Sequence, residues 1–152
     1  MSRPETAGAR APGVRLIFAY DADGIRLLAR LPGPDAVPPG DDVDAEPPVT
    51  AIAAELRTAE DVPTFRRVVD AAIPASVEVF DPDTGPFLDP RPPSSGAFDV
   101  VVPDDERARQ VVLLAGAEGV PEGLRFAPPP AARAADRVIA RFDLRGGAHG
   151  AG

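Results

Sequence analysis

The residues of this sequence best suited to chemistry are aspartates that occur in pairs one or two positions before a glycine. The two pairs are Asp21 with Asp23 and Asp81 with Asp83. Calcium loops use carboxylates at this spacing, because Ca²⁺ takes several oxygen ligands from a short, turning stretch of backbone. An EF-hand loop that began at Asp81 would need a glutamate at its last ligand position, where the chain has Pro92. The EF-hand is therefore excluded for this pair.

A calcium site formed where several loops converge is compatible with the sequence. Asp81, Asp83 and Asp89 belong to one acidic stretch, and we expect them to be the metal ligands if loops come together at one end of the domain. The alternative interpretation is that aspartate and glycine occur here because turns favour both residues. Beyond this candidate metal site, the sequence predicts no cofactor.

Catalytic arrangements find less support. An Asp/Glu pair for glycoside hydrolysis is available among 24 acidic residues, but aromatic side chains that would bind sugars are few, with one Tyr, seven Phe and no Trp. The chain has no Gly-x-Ser-x-Gly motif, and its one histidine, His149, lies in a glycine-rich tail. Glycine motifs for phosphate or dinucleotide binding are missing too. We therefore expect a protein that is not an enzyme.

Net charge and composition limit the classes of partner and the cellular location that we expect. The formal net charge is −8, and acidic residues cluster in expected loops while the 16 arginines are scattered. Proteins that bind nucleic acid or anionic membranes gather positive charge on one face, so neither partner is expected. The absence of cysteine excludes disulfides and thiolate chemistry. The first dozen residues contain no apolar run that could form the core of a signal peptide, and no stretch approaches the length of a membrane span. We expect a cytoplasmic protein, and export that needs no signal peptide is the alternative.

The elements that must position these residues are short. The chain of 152 residues contains 20 prolines and 14 glycines, and such breaks leave room for strands rather than long helices. Eight segments show the alternation or the apolar run typical of strands. They are residues 14–20, 25–31, 49–57, 65–69, 76–80, 97–102, 109–115 and 137–145. Long proline-rich loops are predicted at 32–48 and 81–96.

Alternation also predicts which side chains face the core. The predicted inward sets are Leu16, Phe18 and Tyr20; Ile25, Leu27, Ala29 and Leu31; Ile52, Ala54 and Leu56; and Phe98, Val100 and Val102. Gly24, in the tight turn after the first strand, is expected to take a positive φ. The run at 109–115 is apolar almost throughout, which predicts burial on both faces. Residues 131–145 fit a helix or a strand, and the nearly strict alternation over 137–145 favours the strand.

Short strands, turn signals and two long crossing loops together predict an all-β domain. We expect a two-sheet antiparallel Greek-key sandwich over residues 13–145, with disordered tails at 1–12 and 146–152. Residues 144–147 read Leu-Arg-Gly-Gly, which matches the end of ubiquitin-like modifiers. Since these are four common residues in a chain rich in Arg and Gly, we interpret the match as coincidence.

Several strand motifs occur in a suggestive order. They are Phe65-Arg66-Arg67, GAFDVVVP at 96–103 and VLLAG at 112–116. In this order they resemble small bacterial immunoglobulin-like or fibronectin-like β-sandwich modules. The antibody-type branch also has a cysteine pair and a core tryptophan, both absent here. The resemblance implies an accessory module that binds, spaces or assembles other proteins, and it assigns no site residue.

The sequence by itself identifies no reaction. The leading hypothesis is a non-catalytic β-sandwich module that binds or scaffolds another protein within a larger bacterial assembly. The alternative is a calcium- or small-ligand-binding domain that uses the acidic loops at one end of the sandwich. The residues name no particular partner and define no oligomeric state.

Overall fold

The structure, a computed structural model, describes residues 12–70, 72–74, 77–89, 95–117, 119–120 and 137–145. Within these residues there are nine strands and no helix, which confirms the predicted all-β class. The strands are β1 (Gly13–Asp21), β2 (Gly24–Pro32), β3 (Ala51–Arg57), β4 (Pro63–Asp70), β5 (Val77–Asp81), β6 (Gly85–Asp89), β7 (Gly96–Pro103), β8 (Gln110–Ala115) and β9 (Val138–Asp143). Apart from Pro12, the two predicted tails lie outside the described residues.

The described strands form three antiparallel sheets. The first sheet has the order β2-β1-β7, the second β4-β3-β8-β9, and the third is the hairpin β5-β6. One apolar cluster draws its members from both larger sheets, and β4 contacts β7. This arrangement is compatible with a β-sandwich. The part of the chain that the structure describes contains no helix long and apolar enough to cross a membrane.

Phe18 of β1 joins the two larger sheets within this cluster. Its ring stacks on Phe98 of β7 with 5.3 Å between centroids and meets Phe142 of β9 at 5.6 Å. Leu16 and Tyr20 are buried on the same strand, as the alternation predicted. Burial of a large apolar side chain stabilises a fold by about 1.5–3 kcal/mol. The aromatic stack therefore holds the first sheet against the edge of the second.

The central strands β3 and β8 are buried on both faces. Ile52, Ala54 and Leu56 belong to the main cluster, as predicted. The opposite face of β3 is buried too, because Ala53 packs in a second, smaller cluster and Glu55 is only 1% exposed. Burial of both faces of β8 confirms the prediction from its apolar run. Alternation alone had not indicated that the outer face of β3 is covered.

The face predicted for β2 is wrong beyond Leu27. The register against β1 shifts once, so that β2 carries one extra residue at a bulge. Past the bulge Leu16 pairs with Arg30, and directly opposite residues of an antiparallel pair project to the same face. Ala29 and Leu31 therefore lie on the outer face, where Leu31 is 45% exposed. One inserted residue moves every later side chain of the strand to the opposite face of the sheet, and an alternating pattern in the sequence does not reveal the insertion.

The structure confirms some of the predicted turns and short strands and corrects others. Gly24 has φ 135°, which confirms the predicted hairpin. The loop predicted at 81–96 is wrong in part, because β6 occupies Gly85–Asp89 after a turn in which Gly85 has φ 86°. The strand preferred for the C-terminal segment is confirmed as β9. Residues 131–136 and the two glycines at 146–147 lie outside the described residues.

Candidate functional site

Asp81 and Asp83 lie at the turn between β5 and β6, where the structure brings them together. Oδ1 of Asp81 accepts hydrogen bonds from the backbone N–H of Asp83 at 2.8 Å and of Thr84 at 3.3 Å. Aspartate commonly closes turns in this way, by bonding backbone N–H groups two residues on. The side chain of Asp83 is exposed.

The same hydrogen bond recurs at other Asp-x-Asp sequences in the described chain. Oδ1 of Asp21 accepts from the N–H of Asp23 at 2.8 Å, and Oδ1 of Asp42 accepts from that of Asp44 at 2.9 Å. The backbone bond, together with the Arg26 guanidinium at 2.8 Å, lowers the pKa of Asp21 below its ordinary value. This repeated local geometry supports the interpretation of the motif as turn chemistry.

Asp89 lies at the other end of the same hairpin. Its backbone pairs with Val77, whereas Asp81 pairs with Gly85, so four residue steps separate the two aspartates along the strands. At about 3.3 Å per residue the two positions are roughly 13 Å apart. In the described part of the chain no three His, Asp or Glu side chains are grouped so that they could hold a metal ion, and the side chain of Asp89 is outside that part. The calcium site of three aspartates stays a prediction.

The hairpin that carries these aspartates also exposes large apolar side chains. We name this hairpin, residues 77–89, the arm. The arm pairs with neither larger sheet. Phe80 is 74% exposed and Phe87 is 48% exposed. Their cross-strand partners are Pro86 and Val79, so the two rings project from opposite faces of the hairpin. An isolated two-stranded hairpin is only marginally stable in water, so a surface that covers these rings would stabilise the arm.

The arm also carries charges of one sign only. Its acidic residues are Glu78, Asp81, Asp83 and Asp89, and it has no basic residue. These four charges equal half of the net charge of −8. Any surface that receives the phenylalanines therefore also meets a strongly negative segment.

A second polar site lies on the outer face of the second sheet, around Glu55 of β3. Oε1 accepts from Nε of Arg57 at 2.6 Å, and Oε2 accepts from Nη2 and Nε of Arg66 at 2.6 and 2.9 Å. Glu55 and Arg66 are directly opposite in the β3–β4 register. Both carboxylate oxygens are thus ion-paired and hydrogen-bonded, which is the condition under which a protein interior tolerates a charge.

Asp61 extends this network towards β8 and β9. It has φ 64°, a left-handed conformation, and its Oδ1 accepts from Arg57 at 3.1 Å, Gln110 at 3.1 Å and Arg141 at 2.9 Å. Burial opposes the charge of Asp61, but the hydrogen bonds from Arg141 and Arg57 lower its pKa below the ordinary value. Burial likewise opposes the charge of Arg57, yet its bonds to Asp61 and Glu55 raise its pKa. The network therefore favours the charged form of both groups.

Residues 38–45, which we name the strap, run along the edge of β4 and reach the same network. The N–H of Asp41 donates to the carbonyl of Arg66 at 2.8 Å, and Oδ2 of Asp41 accepts from the N–H of Val68 at 2.7 Å. The Arg66 guanidinium donates to the carbonyl of Ala45. Arg67 donates to two proline carbonyls of the strap at 2.8 and 3.0 Å. The strap thus occupies hydrogen-bonding groups that an edge strand otherwise leaves open.

A cleft of about 240 Å³ lies between the end of the strap and the sheet. Its charged lining residues are Asp44, Glu46, Glu55, Arg57, Arg66 and Arg137. Both oxygens of Glu55 are already bonded to arginines, and one of these, Arg66, also holds the strap. We therefore interpret the network around Glu55 first as a structural support for the strap. Sequence reasoning missed Glu55, although a single glutamate inside the strand AIAAELR was a usable signal.

Comparison with known proteins gives no match. No protein-family model matches the sequence, no curated protein matches it, and no solved structure matches it. What this protein does must therefore be inferred from its own residues and geometry.

Proposed function

We propose that this chain is a non-catalytic protein-binding module whose arm inserts into an apolar cleft of a partner protein, with Phe80 and Phe87 against opposite walls of the cleft. The observation that carries this function is the 74% exposure of Phe80 on a hairpin separate from both larger sheets. Aromatic anchors that fill a partner's pocket supply much of the binding energy in protein interfaces. Full burial of a large apolar side chain contributes about 1.5–3 kcal/mol, so Phe80 would contribute more than Phe87, about half of which is already buried.

Charge defines the chemistry of the partner. The arm has four acidic residues and no basic one, so a pocket with a rim of arginine or lysine complements it. Such complementarity accelerates association and suppresses wrong partners, and it weakens as salt is added. A second copy of this chain, itself at −8, is disfavoured as the partner by the same argument.

The finer fold assignment is part of this proposal. We infer that the two larger sheets form a Greek-key sandwich of the immunoglobulin-like or fibronectin-like kind, which presents the arm from a rigid body. The shared apolar cluster and the stack of Phe18 on Phe98 and Phe142 support that inference. A cytoplasmic location remains an expectation from the sequence.

A photo-cross-linking phenylalanine analogue at position 80 of the full chain tests the proposal. Position 62 provides a matched control, since Val62 is 53% exposed and lies outside the arm. We expect one protein to cross-link from position 80 and not from position 62. With that protein purified, Phe80→Ser combined with Phe87→Ser should weaken binding at least tenfold, on the order expected for an aromatic anchor.

The double variant should change the melting temperature little, because the free chain exposes most of Phe80 and about half of Phe87. Equal cross-linking from the two positions, or undiminished binding by the double variant, would contradict the proposed docking element. Binding that does not weaken between low and physiological salt would contradict the basic rim.

A further inference from the structure

The two strands of the arm differ in the backbone groups that they leave free along their outer edges. Phe80 of β5 lies opposite Pro86 of β6, and proline has no N–H, so these two residues do not exchange a pair of hydrogen bonds. Hydrogen-bonded and non-hydrogen-bonded pairs alternate along an antiparallel ladder. Glu78 and Leu88, which are directly opposite each other two positions further along, are therefore a non-hydrogen-bonded pair as well. In such a pair the N–H and C=O groups point away from the neighbouring strand.

The free groups of β5 form an edge that can pair with a further strand. The N–H and C=O groups of Glu78 and Phe80 both point outward, and the two residues are roughly 6.6 Å apart, since a strand rises about 3.3 Å per residue. An extended chain beside β5 therefore meets a donor and an acceptor at every second residue. The arm pairs with neither larger sheet, and no described segment outside the arm bonds to its backbone.

The outer edge of β6 is poorer in donors. Pro86 supplies no N–H to it, and Pro90 follows the strand directly, so Leu88 carries the only outward N–H of β6. Proline on an edge strand prevents the pairing of a further strand. The sequence thus blocks one edge of the arm and leaves the other open.

The open edge and the most exposed aromatic ring belong to the same strand. Phe80, whose side chain is mostly in water, lies within the outward-bonding part of β5. The edge of β4, by contrast, is covered by the strap through the two bonds of Asp41. The chain therefore protects an edge of its second sheet and presents the edge of its arm.

We propose that β5 pairs with an open edge strand of the partner protein, so that the arm extends a sheet of that partner. This inference rests on the proposed function and adds that an unpaired sheet edge forms the floor of the partner's cleft. In strand addition the backbone bonds supply affinity, and pockets for alternate side chains supply specificity. Phe80 and Phe87 project from opposite faces of the hairpin, so each ring would meet a wall on its own side of that floor. The hairpin, marginal by itself, gains the further strands that a stable sheet needs.

Amide hydrogen exchange of the unaltered full chain tests this pairing, measured with and without the protein that cross-links from position 80. We expect exchange at Glu78 and Phe80 to slow about tenfold or more in the complex, because their N–H groups gain acceptors. Leu88 is the internal control, since its N–H faces the blocked edge, and its exchange should stay unchanged. Unchanged exchange at Glu78 and Phe80, or protection of Leu88 alone, would overturn the pairing of β5.

Backbone esters give a second measurement with every side chain retained. The α-hydroxy analogue of phenylalanine in place of Phe80 removes an outward N–H of β5, and the α-hydroxy analogue of leucine in place of Leu88 removes that of β6. The first should weaken binding about tenfold, as expected for one lost hydrogen bond, and the second should bind like the native chain.

The two esters also separate this inference from the proposed function. Equal binding by both esters, with binding still weakened by Phe80→Ser combined with Phe87→Ser, would overturn the strand pairing and leave the arm as an aromatic anchor. Undiminished binding by that double variant would overturn the proposed function and the strand pairing together.

Discussion

At the residue scale, the carboxylate of Glu55 has the most demanding environment in the described chain. It is 1% exposed and receives three hydrogen bonds from two arginines. Desolvation of a carboxylate costs several kcal/mol, and the pair is tolerated only while both partners are present. Removal of the negative charge would leave Arg66 without an acidic partner among the described residues and would leave Arg57 with Asp61 alone.

Glu55→Gln should therefore destabilise the fold by about 3–5 kcal/mol, the usual cost of removing one partner from a buried ion pair. Urea unfolding followed by circular dichroism measures this free energy. Asp99→Asn is the control, because Asp99 and Arg15 are both about half exposed and such pairs contribute about 0–1 kcal/mol. A loss no larger than the control would show that the network is dispensable.

Calcium binding by Asp81, Asp83 and Asp89 is a second prediction about individual residues. If these residues hold the ion, millimolar calcium should raise the melting temperature, since a ligand that binds only the folded chain stabilises it. Asp89→Asn should then abolish the rise. An unchanged melting temperature would leave Asp81 with the turn-closing role that its bonds to Asp83 and Thr84 already give it.

At the scale of elements, the strap decides how the edge of β4 is protected. Asp41 bonds that edge twice, through its backbone N–H and its carboxylate. Arg66 and Arg67 hold the strap from the strand side. Gly40 is required at the closest approach, because a Cβ there would lie 2.8 Å from the Phe65 ring.

Asp41→Ala should accelerate amide hydrogen exchange at Val68, whose N–H loses its acceptor and opens to water. Exchange followed by NMR measures the effect, and we expect about a tenfold increase, equivalent to one hydrogen bond. The neighbouring variant Asp42→Ala removes only an exposed turn bond to Asp44 and should leave Val68 unchanged. Equal protection of Val68 in both variants would show that the strap does not depend on Asp41.

At the scale of the whole molecule, paired carboxylates link stability to pH. Hydrogen bonds from the Arg107 side chain lower the pKa of Asp105. Partial desolvation opposes the charge of Asp61, which is about half exposed, but hydrogen bonds from Arg141 and Arg57 lower its pKa. Both groups therefore have a folded pKa below the ordinary value of 3.8. Their contribution is fully present above that value and is lost as the pH falls through the lower, folded pKa.

The melting temperature should accordingly stay nearly constant from neutral pH to about pH 5 and fall on acidification below about pH 4. Thermal unfolding across this range measures it. In Asp61→Asn the fall should be shallower, because the asparagine no longer takes up a proton. A melting temperature that rises on acidification would mean that relief of repulsion among the acidic residues outweighs these ion pairs.

The sequence predicts those features of the fold that depend on residues close together in the chain, and it misses those that depend on residues far apart. The β1–β2 hairpin follows from local chemistry, since Gly24 supplies the positive φ and Asp21 closes the turn. The two-sided burial of β8 follows from its unbroken apolar run. The candidate site residues fared differently: Asp81 and Asp83 meet because they share one turn, whereas Asp89, close in sequence, is carried to the far end by the strand between them.

The sequence by itself determined that this is an all-β protein of short strands, because proline, glycine and period-two alternation act within a few residues. Only the tertiary structure decided that a bulge places the exposed Arg30 on the same face of the first sheet as Leu16 and that Glu55 is buried between two arginines. It also decided that the arm projects Phe80 into water. Each of these depends on contacts, or on their absence, between residues far apart in the chain. Alternation along one strand carries no information about such contacts.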